Sequence, residues 1–224
     1  SVTLIEGGRI EDFIRTLQAA PYVEQTLDVD DVAEVRSSLD LKQENIEGLF
    51  LAETYAYTAG TKDIDILRRA NAHMNDYLNK SWESRSKGLP YKSAYEALIM
   101  ASIIEKETGK ANERPLIASV FLNRLRKGMK LQTDPTVIYG IKDRYDGNIR
   151  KVDLQDKNPY NTYVIDGLPP TPIAMPSKAA IKAALHPQAS QYLYFVAKGG
   201  GEHHFSRTLA EHNSAVRRYI LGRS

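Results

Sequence analysis

No cysteine occurs among the 224 residues. That excludes disulfides, thiolate metal sites and cysteine nucleophiles together. An excess of one charge is missing as well: 30 Lys and Arg face 28 Asp and Glu, a formal net charge of +2. A nucleic-acid partner is therefore not expected, since such binding rests on neutralising phosphates. Basic pairs such as Arg68-Arg69 and Arg217-Arg218 read as solvated helix faces. No stretch reaches the roughly 18 consecutive apolar residues of a membrane span, and no signal peptide opens the chain. The first residue is Ser1 rather than Met, which leaves room for an anchor ahead of it. Hydrophobic residues make up 42% of the chain, ample for one large domain or two modest ones.

The periodicity predicts a compact α+β unit over residues 1–60. SVTLIEGG alternates like a strand and ends on a Gly-Gly turn, and RIEDFIRTLQAA carries Ile10, Phe13, Ile14 and Leu17 at helical spacing. VDDVAEVRSSLDL reads as a second helix capped by Asp30, and GLFLAETYAYTAG as extended structure. A charged helix follows over 62–86, with Ile66, Arg69, Ala70, His73 and Tyr77 on one face. Next come a buried helix over 91–108 and an amphipathic one in RPLIASVFLNRLRKG. From 129 to 176 helical periodicity disappears among Pro135, Pro159, Pro169, Pro170, Pro172 and Pro176. A region of that length without periodicity is often functional. SKAAIKAALHP then predicts a helix capped by Ser177, QYLYFVAK and GEHHFS two strands, and TLAEHNSAVRRYIL a closing helix.

One stretch poses a chemical question. In ALIMASIIEKETG, eight residues with Ser102 as their only polar member run directly into Glu105, Lys106 and Glu107. On a helical wheel Glu105 falls beside Ala94, Leu98 and Ala101, and Glu107 beside Glu96, Met100 and Ile103. A carboxyl group in the small, apolar setting of Glu105 would have its pKa raised toward neutrality, as a general acid requires. The spacing by itself fits a fraying helix end before Gly109 better. Possible second carboxylates are Glu107, Asp134, Asp166 and Glu202, although Glu107 lies on the wrong side of the helix to face Glu105. Gln132, Thr133, Tyr139, Asn161 and Tyr163 supply flat faces and neutral hydrogen-bonding groups, suited either to a polar uncharged ligand or to turns and core. No metal site and no cofactor are expected. HExxH and EF-hand patterns are missing, and His203 and His204 would point to opposite faces of an extended segment, with His212 further on. No GxSxG elbow supports a serine nucleophile.

Taken together, ASIIEKETG, FLNRL, LQTDPTVIYG, NPYNTYVIDGLPPTPIAMPSKAAIKAALHP and YLYFVAKGGGEHHFSRTLAEHN resemble the YceG-like family, and IEGLFLAETYAYTAG fits the same pattern. The resemblance covers nearly the whole chain and is densest over 97–213. It implies a small LysM-like βααβ module (1–60) and a mainly helical catalytic domain with a small β element (61–224), similar to lysozyme and lytic transglycosylases. The implied activity is endolytic. The bond from N-acetylmuramic acid to N-acetylglucosamine in nascent peptidoglycan is cut without water, leaving a 1,6-anhydro end and terminating glycan polymerisation. The resemblance places the single catalytic glutamate at Glu105. Gln132, Thr133, Asp134, Tyr139, Asn161, Tyr163, Glu202 and His204 would hold the glycan. It further implies peptidoglycan strands and possible synthase partners, and a single-pass inner-membrane protein facing the periplasm. Two rivals stay open: a catalytically silent peptidoglycan-binding scaffold, and a muramidase that uses water. Ala52 and Met175 depart from the family's usual proline and asparagine, away from the acid.

Overall fold

The alternation in the first residues is realised as a very short strand. In the computed structural model, which describes residues 1–222, Val2–Thr3 (β1) pairs antiparallel with Thr54–Tyr55 (β2), Val2 opposite Tyr55. Between them lie Ile10–Gln18 (α1) and Val32–Ser38 (α2). The first of these helices buries Ile10, Phe13, Ile14 and Leu17, the apolar stripe read from its spacing. The second is capped one residue later than expected: the Asp31 carboxylate, not that of Asp30, accepts the N–H of Glu34 at 2.9 Å. Asp63–Glu83 (α3) buries Ile66, Leu67, Ala70, Met74 and Leu78. Of the face expected from sequence, Ile66 and Ala70 are inside while Arg69 and His73 are exposed. His73 is drawn outward to the Glu53 carboxylate at 3.1 Å.

Ala94–Glu107 (α4) begins where the Ser93 hydroxyl accepts the N–H of Glu96. Every residue from Ala97 to Ile104 is buried, so this helix has no polar face over its middle turns. Arg114–Arg126 (α5), Asp134–Gly140 (α6), Lys151–Gln155 (α7) and Lys178–Leu185 (α8) follow. Helices α3, α5, α6 and α8 all pack on α4. Burial of Leu98, Ile99, Met100, Ile103 and Ile104 contributes on the order of 2 kcal/mol each. Ser102, the polar exception, is satisfied at both ends of its hydroxyl. It donates to the Ile99 carbonyl at 2.7 Å and accepts the N–H of Ile173 at 3.0 Å, which pins the proline-rich segment to the helix.

Tyr194–Gly199 (β3) and Glu202–Ser206 (β4) form an antiparallel hairpin, with Val196 opposite His204, and Leu209–Tyr219 (α9) packs on it. The protein is therefore α+β: helices around one buried central helix, with two small antiparallel sheets. A single apolar core runs from Val2 to Leu185. The stretch without helical periodicity contains two short helices, α6 and α7, too brief for an apolar stripe to register. α6 carries Pro135 in its first turn, where a missing N–H costs nothing.

The expectation of a single-pass inner-membrane protein is corrected. Among the described residues no helix is long and apolar enough to cross a membrane. The 21-residue α3 is studded with Asp, Arg and Lys, and the apolar α4 spans only 14 residues and is enclosed by other helices.

A buried carboxyl group clips the N-terminal segment to the rest. Glu47, 1% exposed, accepts the Ile10 N–H at 2.8 Å and the Tyr139 hydroxyl at 3.3 Å. The Asn45 side-chain amide donates to Tyr139, Tyr160 and Thr171. Burial, helped by the charge of Glu11, pushes the Glu47 pKa up to about 7. The folded state thus holds a proton that the unfolded chain releases near pH 4.5. The associated stability is complete below that value and is lost as pH rises through about 7, a change on the order of 3 kcal/mol. Glu47→Gln, which keeps an acceptor for Ile10, should flatten the decline of thermal stability between pH 5 and pH 8. Denaturation midpoints across that range for both proteins check this.

Candidate active site

Side chains two positions apart on an α-helix point about 200° from one another, and α4 ends with two glutamates in that relation. Glu105 turns toward α8. Its Oε2 accepts the Ser177 N–H at 2.8 Å and the Ser177 hydroxyl at 2.5 Å. Its Oε1 lies 3.6 Å from the Arg114 guanidinium, with the two side chains only 5% and 13% exposed. Ser177 is the N-cap of α8 and passes its own oxygen to the Ala180 N–H at 3.1 Å, as its sequence position predicts. Gly7 closes over this carboxylate in a left-handed turn (φ +78°), where a Cβ would lie 3.9 Å from the Glu105 side chain. Glu105 is therefore held among donors and a cation, not in the dry apolar setting suggested by Ala94, Leu98 and Ala101.

Glu107 turns the other way, into a cavity of about 460 Å³. That volume lies within the roughly 300–1,000 Å³ usual for ligand clefts. The Thr133 hydroxyl donates to its Oε1. Among the described residues no other group hydrogen-bonds this carboxyl group. Burial raises its pKa to about 7, with the negative charge of Asp134 adding to the rise and the Thr133 bond opposing it. Thr133 is fixed in turn, its N–H held by the Thr162 hydroxyl at 2.9 Å.

Gln132, Asp134 and Tyr163 line the same cavity. The Tyr163 hydroxyl donates to Asp134 at 2.6 Å, and burial with that carboxylate nearby raises the phenol pKa. Gln132 adopts φ +50° while staying exposed, a left-handed conformation disfavoured for a non-glycine residue. Strain of this kind persists where the surroundings over-determine it, often at ligand sites.

Four other residues expected at the glycan lie elsewhere. Asn161, 1% exposed, spends its amide on the carbonyls of Asp153, Leu154 and Asp156. Tyr139 is buried against Glu47 and Tyr160. Glu202 pairs with Lys198 at 3.1 Å at the hairpin turn. His204 stacks on Tyr219, away from the cavity.

Much of the rest of the cavity lining comes from residues that the sequence did not assign to the site: Arg124, Tyr194, Phe195, Leu209, Asn213 and His212, the last weighed there only as a metal ligand. The 209, 212, 213 spacing is a helical face and was the one available signal. His212 stacks on Tyr194 with ring centroids 5.1 Å apart. Burial and the Arg124 charge lower its pKa, so the ring is neutral at pH 7. His203 is bound to Glu113 through both its ring and its N–H, at 2.8 and 2.9 Å. Among the described residues no group of three or more His, Asp or Glu is arranged to hold a metal.

A family model described as the YceG-like family matches residues 1–218. The chain belongs to that family. An endolytic murein transglycosylase of Bacillus subtilis is 41% identical over 180 residues, which are 80% of this chain and 49% of that protein. A protein of the same name from Streptococcus pneumoniae is 31% identical over 182 residues, covering 78% of this chain and 32% of that one. The chain thus spans about half the length of the Bacillus relative and about a third of the streptococcal one. A crystal structure of a yceG-like protein from Listeria monocytogenes superposes with a TM-score of 0.75 at 31% identity, over 96% of this chain and 75% of that one.

Two substitutions test this geometry through stability. Glu105→Gln leaves Arg114 without its counter-charge and should cost about 2–4 kcal/mol in urea denaturation. Gln132→Gly should be neutral or stabilising by up to about 1 kcal/mol, because it relieves the left-handed strain, while weakening ligand binding.

Proposed function

We propose that this chain carries the catalytic unit of a peptidoglycan lytic transglycosylase, with Glu107 rather than Glu105 as its acid–base group. The observation that carries the reading is the setting of Glu107. It is a carboxyl group with a pKa near 7, held by one hydroxyl and opening on a cavity shared with Gln132, Asp134 and Tyr163. Glu105 is ion-paired and doubly hydrogen-bonded, so little of it is free to protonate a leaving group. The names of the Bacillus and Streptococcus relatives supply the reaction class.

The chemistry needs one carboxyl group. The Glu107 proton passes to the oxygen of N-acetylglucosamine as its bond to C1 of N-acetylmuramic acid breaks. The acetamido oxygen of the muramyl residue stabilises the electron-poor C1. The Glu107 carboxylate then takes the proton of the muramyl 6-hydroxyl as that oxygen closes on C1. This yields a 1,6-anhydro end and returns the acid to its starting form. No water is consumed. Burial, helped by the charge of Asp134 that Tyr163 fixes, raises the Glu107 pKa to about 7. Gln132 and Tyr163 offer the neutral donors and flat face that a sugar needs. Cutting nascent strands in this way would terminate their growth beside the synthases that make them. The β1–α1–α2–β2 order, with its two strands paired, supports a LysM-like glycan-binding module over 1–60, followed by a catalytic domain of the lytic-transglycosylase kind over 61–224.

Glu107→Gln should lower kcat by at least about 10²-fold with little change in thermal stability. An inactive Glu105→Gln of undiminished stability, beside an active Glu107→Gln, would return the role to Glu105. Because the acid must be protonated, kcat/KM should fall as pH rises through about 7, the Glu107 value. Mass spectrometry of the products decides between rivals. Ends one water lighter than reducing ends are expected. Reducing ends would favour hydrolysis with Asp134 as base, and uncut strands that bind would favour a silent scaffold.

A further inference from the structure

Two pairs of adjacent residues part at the junction of α4 and α6. Glu107 and Asp134 face the cavity of the proposed acid, while their neighbours Lys106 and Pro135 face a second cavity of about 240 Å³. Arg9 from the N-terminal segment and Lys142 from just beyond α6 complete its charged rim, and Tyr139, Tyr145 and Ile173 its walls. Among the described residues no carboxylate comes within 4.0 Å of any of the three cations. Lys106 reaches only the Gly7 carbonyl at 3.2 Å, and the Lys142 ammonium lies 4.8 Å from the centre of the Tyr139 ring. The carboxyl group of Glu47 is engaged behind Tyr139 with Ile10.

Three cations, none in an ion pair among the described residues and only Lys142 within reach of a carboxylate's field, that of buried Glu47, ring an apolar, tyrosine-lined hollow and suit a ligand with several carboxylates and small apolar groups. A neutral sugar would leave those charges unused, and the apolar walls add nothing for a bare anion. The location narrows the choice further. Adjacent Cα atoms are about 3.8 Å apart, and an extended peptide covers about 3.3–3.6 Å per residue. The two hollows flank the same α4–α6 junction, so a peptide of a few residues branching from a glycan beside Glu107 has the length scale needed to extend toward the second one. We propose that the second cavity binds the acidic stem peptide carried by the muramyl residue, with Arg9, Lys106 and Lys142 taking its carboxylates. The proposal rests on the reading of the Glu107 cavity as the glycan cleft, and it makes the enzyme selective for strands that still bear their peptides.

Two measurements test it. The first needs no turnover. The acidic tripeptide N-acetyl-L-Ala-γ-D-Glu-meso-diaminopimelate, with three carboxylates and one ammonium, is titrated into the isotope-labelled protein, with its fully amidated form and inorganic phosphate as controls. The amides of Ile138 to Tyr145 should shift with the tripeptide, and the affinity should fall about tenfold or more in an Arg9→Gln, Lys142→Gln double variant. Equal binding of the amidated peptide would overturn the proposal. Phosphate binding as tight as that of the tripeptide would reduce the hollow to a general anion site and overturn it too. The second measurement compares kcat/KM on peptide-bearing strands and on the same strands stripped by an amidase. The double variant should lose about tenfold on the first and nothing on the second. An equal loss on both would mean that the cations are structural. If the wild-type protein cuts neither strand, the transglycosylase reading fails, while the tripeptide titration still decides the hollow.

Discussion

The carboxylate of Glu105 joins three helix ends. It belongs to the last turn of α4, receives both donors of Ser177 at the start of α8, and pairs with Arg114 at the start of α5. A negative charge at the N-terminus of a helix is favoured by the unpaired N–H groups and the helix dipole. Here it meets Ser177, which in turn caps α8. Such an arrangement is costly to dismantle, because removing either charged partner leaves the other buried and alone. It also fixes the rotation of α4 about its axis. With Glu105 locked toward α8, Glu107 is carried to the opposite side, toward Thr133 and the cavity. One glutamate thus sets the direction in which the other points.

The contrast between the two carboxyl groups follows from what surrounds each. Two donors from Ser177 and a guanidinium surround Glu105, whereas burial and Asp134 favour the neutral form of Glu107, with Thr133 offering a single hydroxyl. Separating two chemically identical groups by environment is how a protein assigns acid and spectator roles at neutral pH. Glu47, another buried carboxyl group, is also raised to about 7, yet it is 1% exposed and its oxygens are taken by Ile10 and Tyr139. A perturbed pKa without access to a cleft marks a structural joint rather than a reaction site.

Much of the fold was readable from local chemistry. The stripe of α1, the Ser177 cap and the apolar run of α4 are each determined by a few residues and their neighbours in the chain. Which of the two glutamates faces the cavity was not readable, for a specific reason. A helical wheel assigns direction by contrast between a wet face and a dry one, and residues 97–104 are buried on every side. The wheel correctly placed the two glutamates apart, but nothing in it could say which side held the cleft. The small neighbours of Glu105, which suggested room for a ligand, make room instead for Ser177, Arg114 and the Gly7 turn. Similarly, α6 is held by contacts distant in sequence, and Arg124, Tyr194 and His212 reach the cavity from elements that only the tertiary fold brings there.

The proline-rich stretch from 129 to 176 also divides its polar residues differently from what composition suggests. Most of its neutral hydrogen-bonding groups are consumed internally. Thr133, Thr136 and Thr162 bond one another, and Asn161 ties three carbonyls near the end of α7. Lys130 reaches Val164 and Asp166. Ser102 and the Gly7–Gly8 turn fasten the far end through Ile173 and Met175. What remains exposed to the cavity is small: Gln132 in its left-handed conformation, Asp134, and the Tyr163 ring leaning on it. A loop that spends its polarity on itself becomes a rigid wall, and rigid placement counts because misplacing a reacting group by about 1 Å can cost about 10²-fold in rate. The residues that suggested sugar binding thus act on the cavity indirectly, by fixing the few side chains, and the Thr133 hydroxyl behind Glu107, that face it.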